Sequence, residues 1–245
     1  MKKVFLLVFI LSFAGGGIVQ ADTIKKETIK SQLKNRSYFV FVPDTVKKSV
    51  PAPVIVVLHG SGDSGQMPVK RWRDFARQQG IIVVGPNALD REMWRIPEDA
   101  PQFIYDMLEL LKTQHNIDPR RVYLFGHSGG AIVALYLALI ESEYFAAAAI
   151  HAGAMRPEDG YVIERTKRKI PFSLFVGTKD PLFPVADVRQ TRDMLTSRGF
   201  DVEMHEIKDH THDYGRRSDE INKMIWDFFK QHRLYNDPVY ELYRW

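Results

Sequence analysis

"RVYLFGHSGGAIVALYLALI", residues Arg121 to Ile140, decides the fold. Its first part, Val122-Tyr123-Leu124-Phe125, is built of β-formers and reads as a strand. Its last part, Ala131 to Ile140, is apolar nearly all round, the pattern of a helix buried inside a domain. Between them the chain turns through Gly126-His127-Ser128-Gly129-Gly130 with no room for a longer loop. A strand that hands over directly to a buried helix is half of a strand–helix–strand unit, so companion strands are expected on either side.

Upstream, Ser37 to Val42 is rich in β-formers and stops at Pro43. Val54 to Leu58 is apolar on both faces, as a buried parallel strand requires. It ends in the flexible loop His59-Gly60-Ser61-Gly62-Asp63-Ser64-Gly65. Val69 to Gln79 reads as a helix closed by Gly80, and Ile81 to Gly85 as a second fully apolar strand. Phe103, Met107, Leu110 and Leu111 recur at helical spacing and predict a helix over 101–115. Downstream, Ala146–Ile150 and Phe172–Val176 are short apolar strands. Val185–Ser197 is helical, with Gly199 as its stop. Val202–Ile207 alternates apolar and polar residues and predicts a half-exposed strand near a sheet edge. Ser218–His232 predicts a final helix with Ser218 as its cap. This alternation implies an α/β domain, a mostly parallel, doubly wound sheet flanked by helices. Sites in such sheets lie at the carboxyl ends of the strands.

Of the 245 residues, 45% are apolar and 12% aromatic, enough for one sizeable core. A net charge of +4 without a basic run interleaved with aromatics gives no expectation of nucleic-acid binding. Arg165-Thr166-Lys167-Arg168-Lys169 reads as a solvated turn. The N-terminus differs in kind: Lys2-Lys3, an apolar run from Val4 to Ala14, then Val19-Gln20-Ala21. That is the pattern of a secretory signal peptide over residues 1–21, leaving 22–245 as a single domain, secreted or periplasmic. The apolar run is short for a membrane span, so no stable membrane insertion is expected after its removal; an uncleaved anchor is the competing reading. There is no cysteine, which excludes disulfides and a cysteine-linked lipid.

Gly-x-Ser-x-Gly between a strand and a helix is the signature of a nucleophile elbow, a sharp turn that lifts the serine above the sheet at a helix N-terminus. A serine hydroxyl needs a base to take its proton, and the base needs an acid to orient it. Asp180 follows the strand Phe172–Val176 in Gly177-Thr178-Lys179-Asp180-Pro181. His210 and His212 follow the last strand in Asp209-His210-Thr211-His212-Asp213-Tyr214. Ser128, Asp180 and one of these histidines thus lie beyond the ends of three separate strands, in the chain order such hydrolases use.

These residues, with Arg36-Ser37-Tyr38, Leu58-His59-Gly60 and Ile117-Asp118-Pro119-Arg120-Arg121 leading into the elbow, resemble the α/β-hydrolase superfamily. The likeness is to secreted serine esterases of the feruloyl esterase, acetyl xylan esterase and polyhydroxybutyrate depolymerase group. His212-Asp213-Tyr214 resembles the segment that carries the catalytic histidine in those enzymes, which favours His212 over His210. Ser61 stands where many relatives carry a cysteine. The resemblance implies the α/β-hydrolase fold; the stretch from Ser128 to Asp180 already holds a helix, a strand and a basic loop, so no large lid domain is expected there. It also implies ester hydrolysis by Ser128, Asp180 and His212, with no cofactor and no metal. The oxyanion hole is expected from the backbone amides of Ser61 and Gly129. Trp94 and His151 are candidate substrate-binding residues, and Trp72 is weighed with Trp94 as a stacking surface. Asp63, Ser64 and Gln66 are candidates for polar contacts. The substrate expected is a small-molecule or polysaccharide ester. A serine peptidase of the prolyl-oligopeptidase type and a non-catalytic binding protein on the same scaffold are the alternatives. The aromatic tail from Leu234, with Tyr235, Tyr240, Tyr243 and Trp245, is open to packing on the domain or to a partner.

Overall fold

The computed structural model describes residues 23–240; the expected leader, and Tyr243 and Trp245 of the tail, lie outside the described residues. Eight strands form one sheet: β1 (Lys25–Ser31), β2 (Lys34–Phe41), β3 (Ala52–Leu58), β4 (Ile82–Pro86), β5 (Ile117–His127), β6 (Ala148–His151), β7 (Phe172–Gly177) and β8 (Val202–Ile207). Their order is β1-β2-β4-β3-β5-β6-β7-β8. From β4 to β8 every pairing is parallel, while β2 runs antiparallel to both β4 and β1. The helices are α1 (Gln66–Gln79), α2 (Gln102–Gln114), α3 (Gly129–Ile140), the single turn α4 (Gly160–Glu164), α5 (Val185–Thr196) and α6 (Ser218–Phe229). This is the α/β-hydrolase architecture expected from the sequence.

The all-apolar strands are explained by two cores. Side chains alternate across a strand, so Val54, Val56 and Leu58 of β3 face one side, while Ile55 and Val57 face the other. The first side packs against α2, α3 and α5. The second packs against α1 and α6, with Phe125, Phe175, Tyr123 and Trp72 filling the gap. Each such side chain, wholly removed from water, contributes roughly 1.5–3 kcal/mol before the entropy of folding is set against it. β8 lies at one edge of the sheet and is half-exposed, as predicted: Glu203 and Glu206 are exposed, Val202, Met204 and His205 are half-buried, and only Ile207 is buried.

Three local expectations change. β1 was not foreseen: its charged sequence KKETIKS is exposed at the sheet edge, and it joins β2 through a tight turn in which Gln32 and Leu33 both take positive φ (49° and 62°). β5 starts earlier than the predicted strand, at Ile117, because Asp118 ties the Pro119-Arg120-Arg121 segment down by accepting from the Arg120 amide and the Arg121 guanidinium. Ser218 is the first residue of α6 rather than its cap; Asp213 instead caps the short turn Tyr214–Arg217 ahead of that helix. The tail packs back as far as Tyr240, whose ring stacks on Tyr105 at 3.9 Å.

Candidate active site

The elbow is held by backbone crowding. A methyl group added at Gly126 would lie 2.2 Å from the Gly130 carbonyl oxygen, and one at Gly130 would lie 2.4 Å from the Leu58 carbonyl oxygen. Only glycine fits either place, which is why the motif needs one on each side of the serine. Ser128 itself sits at φ 56°, ψ −121°, a conformation that costs an ordinary residue on the order of 1–3 kcal/mol. Its amide is secured by the His151 carbonyl at 3.0 Å, and its carbonyl accepts from Ala131 and Ile132 in the first turn of α3.

Three side chains from three strand ends meet here. His212 Nε2 lies 2.9 Å from Ser128 Oγ. His212 Nδ1 lies 2.9 Å from Asp180 Oδ2 and 3.2 Å from Oδ1. The Asp180 carboxylate is fully buried, and Oδ1 also accepts from the Leu182 and Phe183 amides at 2.9 and 3.0 Å. The ring of Phe183 lies parallel to His212 with centroids 5.8 Å apart. The order is therefore hydroxyl, imidazole, carboxylate: an oriented acceptor for the serine proton. The rival His210 does not reach Ser128; its Nε2 lies 3.1 Å from His151 Nε2. Asp209 pairs with Lys179 at 2.7 Å. Among the described residues no group of three or more His, Cys, Asp and Glu is placed to hold a metal ion.

Ser61 and Gly129 lie side by side across the elbow: a methyl group at Gly129 would sit 2.8 Å from Ser61 Oγ and 3.5 Å from its amide nitrogen. Neither amide donates to a protein acceptor among the described residues. They are thus free to serve as a pair of donors to a developing negative charge, at the N-terminus of α3.

The loop carrying Ser61 is clamped by residues 87–94, which the sequence did not reveal. Arg91 donates to the Gly62 carbonyl at 2.7 Å, and the Gly62 amide donates to the Arg91 carbonyl at 2.9 Å. Gly65 donates to the Asn87 side chain. Asp63 accepts from the Ser64 amide, so its carboxylate shapes the loop. His59 accepts at Nε2 from the Ala88 amide (3.2 Å), so its proton is on Nδ1, facing the Gly60 carbonyl at 2.8 Å. Burial holds the His59 pKa below its ordinary value, which agrees with that neutral tautomer.

Two substrate-binding expectations are corrected. Trp94 is only 8% exposed; its indole N–H donates to the His59 carbonyl at 2.9 Å and its ring lies against the His59 ring. It is a strut of the Ser61 loop, with no open face for stacking. His151 is 0% exposed and lies beneath the elbow, not in its mouth. Trp72, likewise, is buried in the core against Phe125 and Phe75.

Residues 8–232 match the dienelactone hydrolase family. Among characterised proteins, a poly(3-hydroxyalkanoate) depolymerase C of Paucimonas lemoignei is 30% identical over 132 residues, 49% of this chain and 31% of that protein. A bifunctional acetylxylan esterase/xylanase of Neocallimastix patriciarum is 27% identical over 126 residues, 48% of this chain and 18% of that protein. The matched stretch is thus less than a third of either relative. Among solved structures, a ferulic acid esterase superposes with a TM-score of 0.68 at 18% identity, over 85% of this chain and 98% of its own.

Proposed function

The chain belongs to the dienelactone hydrolase family, and from that premise we propose that it is a serine carboxylic-ester hydrolase working through an acyl-enzyme. The observation that carries the reading is the relay from Ser128 Oγ through His212 to Asp180, with both contacts at 2.9 Å. In this reading Ser128 Oγ attacks the ester carbonyl carbon as its proton passes to His212 Nε2. The carbonyl oxygen becomes an oxyanion, held by the Ser61 and Gly129 amides. Collapse breaks the bond to the alcohol, which leaves with the proton from His212. Water then repeats the cycle on the acyl-enzyme: it gives a proton to His212, attacks the carbonyl, and releases the acid and free Ser128. Asp180 holds the Nδ1 proton and stabilises the imidazolium between steps.

We infer small or polysaccharide-borne acyl and phenolic esters as the substrate class. Between Ser128 and Asp180 the chain is occupied by α3, β6, α4 and β7, which leaves no large lid over the serine. The names of the relatives point the same way, to acetylated xylan and ferulic acid esters. Export belongs to this proposal as well, on the strength of the N-terminal pattern Lys2-Lys3, Val4–Ala14 and Val19-Gln20-Ala21. Cleavage after Ala21 is tested by the N-terminal sequence of the protein recovered outside the cytoplasm.

The test of the chemistry is hydrolysis of p-nitrophenyl acetate, acetylated xylan and methyl ferulate by the native protein and by Ser128→Ala, alongside matched amides. Ester hydrolysis lost in the variant is expected. Preferential amide cleavage would move the assignment to a peptidase. No turnover and no labelling of Ser128 by a fluorophosphonate would leave the binding-protein alternative.

A further inference from the structure

Beneath the site lies a second set of histidines that the acyl-transfer cycle does not use. His127 ends β5 and directly precedes Ser128; His151 ends β6, in register with it; His210 lies in the loop after β8, two residues before His212. His127 Nδ1 and His151 Nδ1 are 2.9 Å apart, and His151 Nε2 and His210 Nε2 are 3.1 Å apart. Each of these distances holds one shared proton, with one nitrogen donating and the other accepting. The middle ring therefore uses both of its nitrogens. Its backbone is engaged too: the His151 carbonyl accepts the Ser128 amide. At the other end, the His210 carbonyl accepts the Lys179 amide, one residue before Asp180. A continuous path thus joins the loop of the acid, the loop of the base and the elbow of the nucleophile.

We propose that His127, His151 and His210 form an uncharged hydrogen-bonded relay that fixes the Ser128 elbow against the loop bearing His212, with His151 as the central positioning residue. The proposal rests on the reading of Ser128 and His212 as nucleophile and base. Its neutrality has a physical basis. His151 and His210 are 0% and 3% exposed, and the Tyr214 ring closes over His127 and His151 at 5.8 and 5.5 Å. The charged and titratable groups around the relay are His212, Asp180 and Arg71 beside His127, and Arg217, Asp213 and Glu220 beside His210. Burial is the dominant influence and lowers the pKa of all three rings, that of His127 to about 3. The His127 ring is 4.9 Å from the His212 ring, so a charge there would oppose the imidazolium that forms on His212 in each cycle. An uncharged relay holds position without that repulsion.

The experiment compares His151→Leu, which cannot bond at either end, with His151→Gln, whose amide keeps one donor and one acceptor. His151→Leu is expected to lower kcat by about 10²-fold, the scale of a misplaced reacting group, with KM little changed. His151→Gln is expected to recover most of that loss. Native protein labelled with 15N-histidine supplies a readout independent of folding in the variants. It should show scalar coupling across the His127–His151 and His151–His210 hydrogen bonds, and ring 15N shifts that stay flat from pH 5 to pH 8. Full activity in His151→Leu, equal loss in both variants, missing couplings, or a ring of the relay that titrates in that range would each overturn the proposal. Hydrolysis that survives Ser128→Ala would instead overturn the acyl-transfer reading, which separates the two failures.

Discussion

Replacing Asp180 by asparagine tests the orientation of the base more sharply than deleting the carboxylate. Oδ1 accepts from two amides, Leu182 and Phe183, while Oδ2 faces His212 Nδ1 at 2.9 Å. An asparagine must place its carbonyl oxygen where the two amides donate. The opposite flip would set its NH2 against both N–H groups and leave them unsatisfied, at about 1–3 kcal/mol each. A penalty of at least about 2 kcal/mol selects the first arrangement by some thirtyfold (1.4 kcal/mol per factor of ten). The NH2 then donates to His212 Nδ1, which drives the imidazole proton onto Nε2. That nitrogen can no longer accept from Ser128. The expected loss is about 10⁴ in kcat, or about 5.4 kcal/mol of barrier, with the fold intact. Asp180→Ala removes the carboxylate but imposes no tautomer, so it should retain more activity than Asp180→Asn. The assay is burst and steady-state release of p-nitrophenol at pH 8. An asparagine variant with a tenth of native kcat, or one more active than the alanine variant, would refute this account of Asp180.

Three further substitutions probe features around the site. Glu141, buried at the end of α3, has its pKa pushed up to about 8 from 4.5, chiefly by desolvation. Its neutral form is favoured by folding, so the associated stability is complete below pH 4.5 and is lost as pH rises through 8; up to about 5 kcal/mol follows from that displacement. Urea unfolding of Glu141→Gln should therefore match the native protein near pH 5 and exceed it at pH 8.5, and equal curves at pH 8.5 would count against a buried neutral carboxyl. Gly130→Ala drives a methyl group to 2.4 Å from the Leu58 carbonyl oxygen and should lower stability by at least about 2 kcal/mol, read as a fall in thermal midpoint. Trp94→Phe keeps a ring beside His59 but strands its carbonyl; a loss of about 1–3 kcal/mol in stability is expected, together with a several-fold lower kcat from the loosened Ser61 loop, and an unchanged midpoint would argue against the strut.

What could be read in the sequence was what depends on strand ends and period. Val54–Leu58 and Phe172–Val176 declare themselves because a strand buried on both faces must be apolar throughout. Ser128 and Asp180 could be named because each comes just beyond such a strand; His212 lies in the loop after the half-exposed β8 and was favoured over His210 by the resemblance of His212-Asp213-Tyr214, and the geometry brings the three together. β1 was hidden because it is charged, exposed, and turned by Gln32-Leu33, neither of which is a usual residue for positive φ. The fate of Trp94 was hidden because nothing local says whether an indole in a loop faces solvent or a carbonyl 35 residues away. The same holds for His127, His151 and His210: they are far apart in the sequence, and only the parallel register of β5 and β6 and the return of the chain after β8 make neighbours of them.

The clamp on the Ser61 loop also has an outer anchor. Arg36 of β2 is buried against Asp99 at 2.6 Å, and the same carboxylate accepts from the Leu89 and Arg95 amides that bracket Trp94. The Ser61 amide, one of the two donors proposed above, is thereby tied to β2 in the antiparallel margin of the sheet, whereas the other, Gly129, sits on the Ser128 elbow at the end of β5, in its parallel centre. The margin of a sheet opens at lower free energy than its core strands. Warming the protein should therefore disable it in stages: the Ser61 amide drifts away first, while Ser128 and Gly129 stay seated together at the elbow.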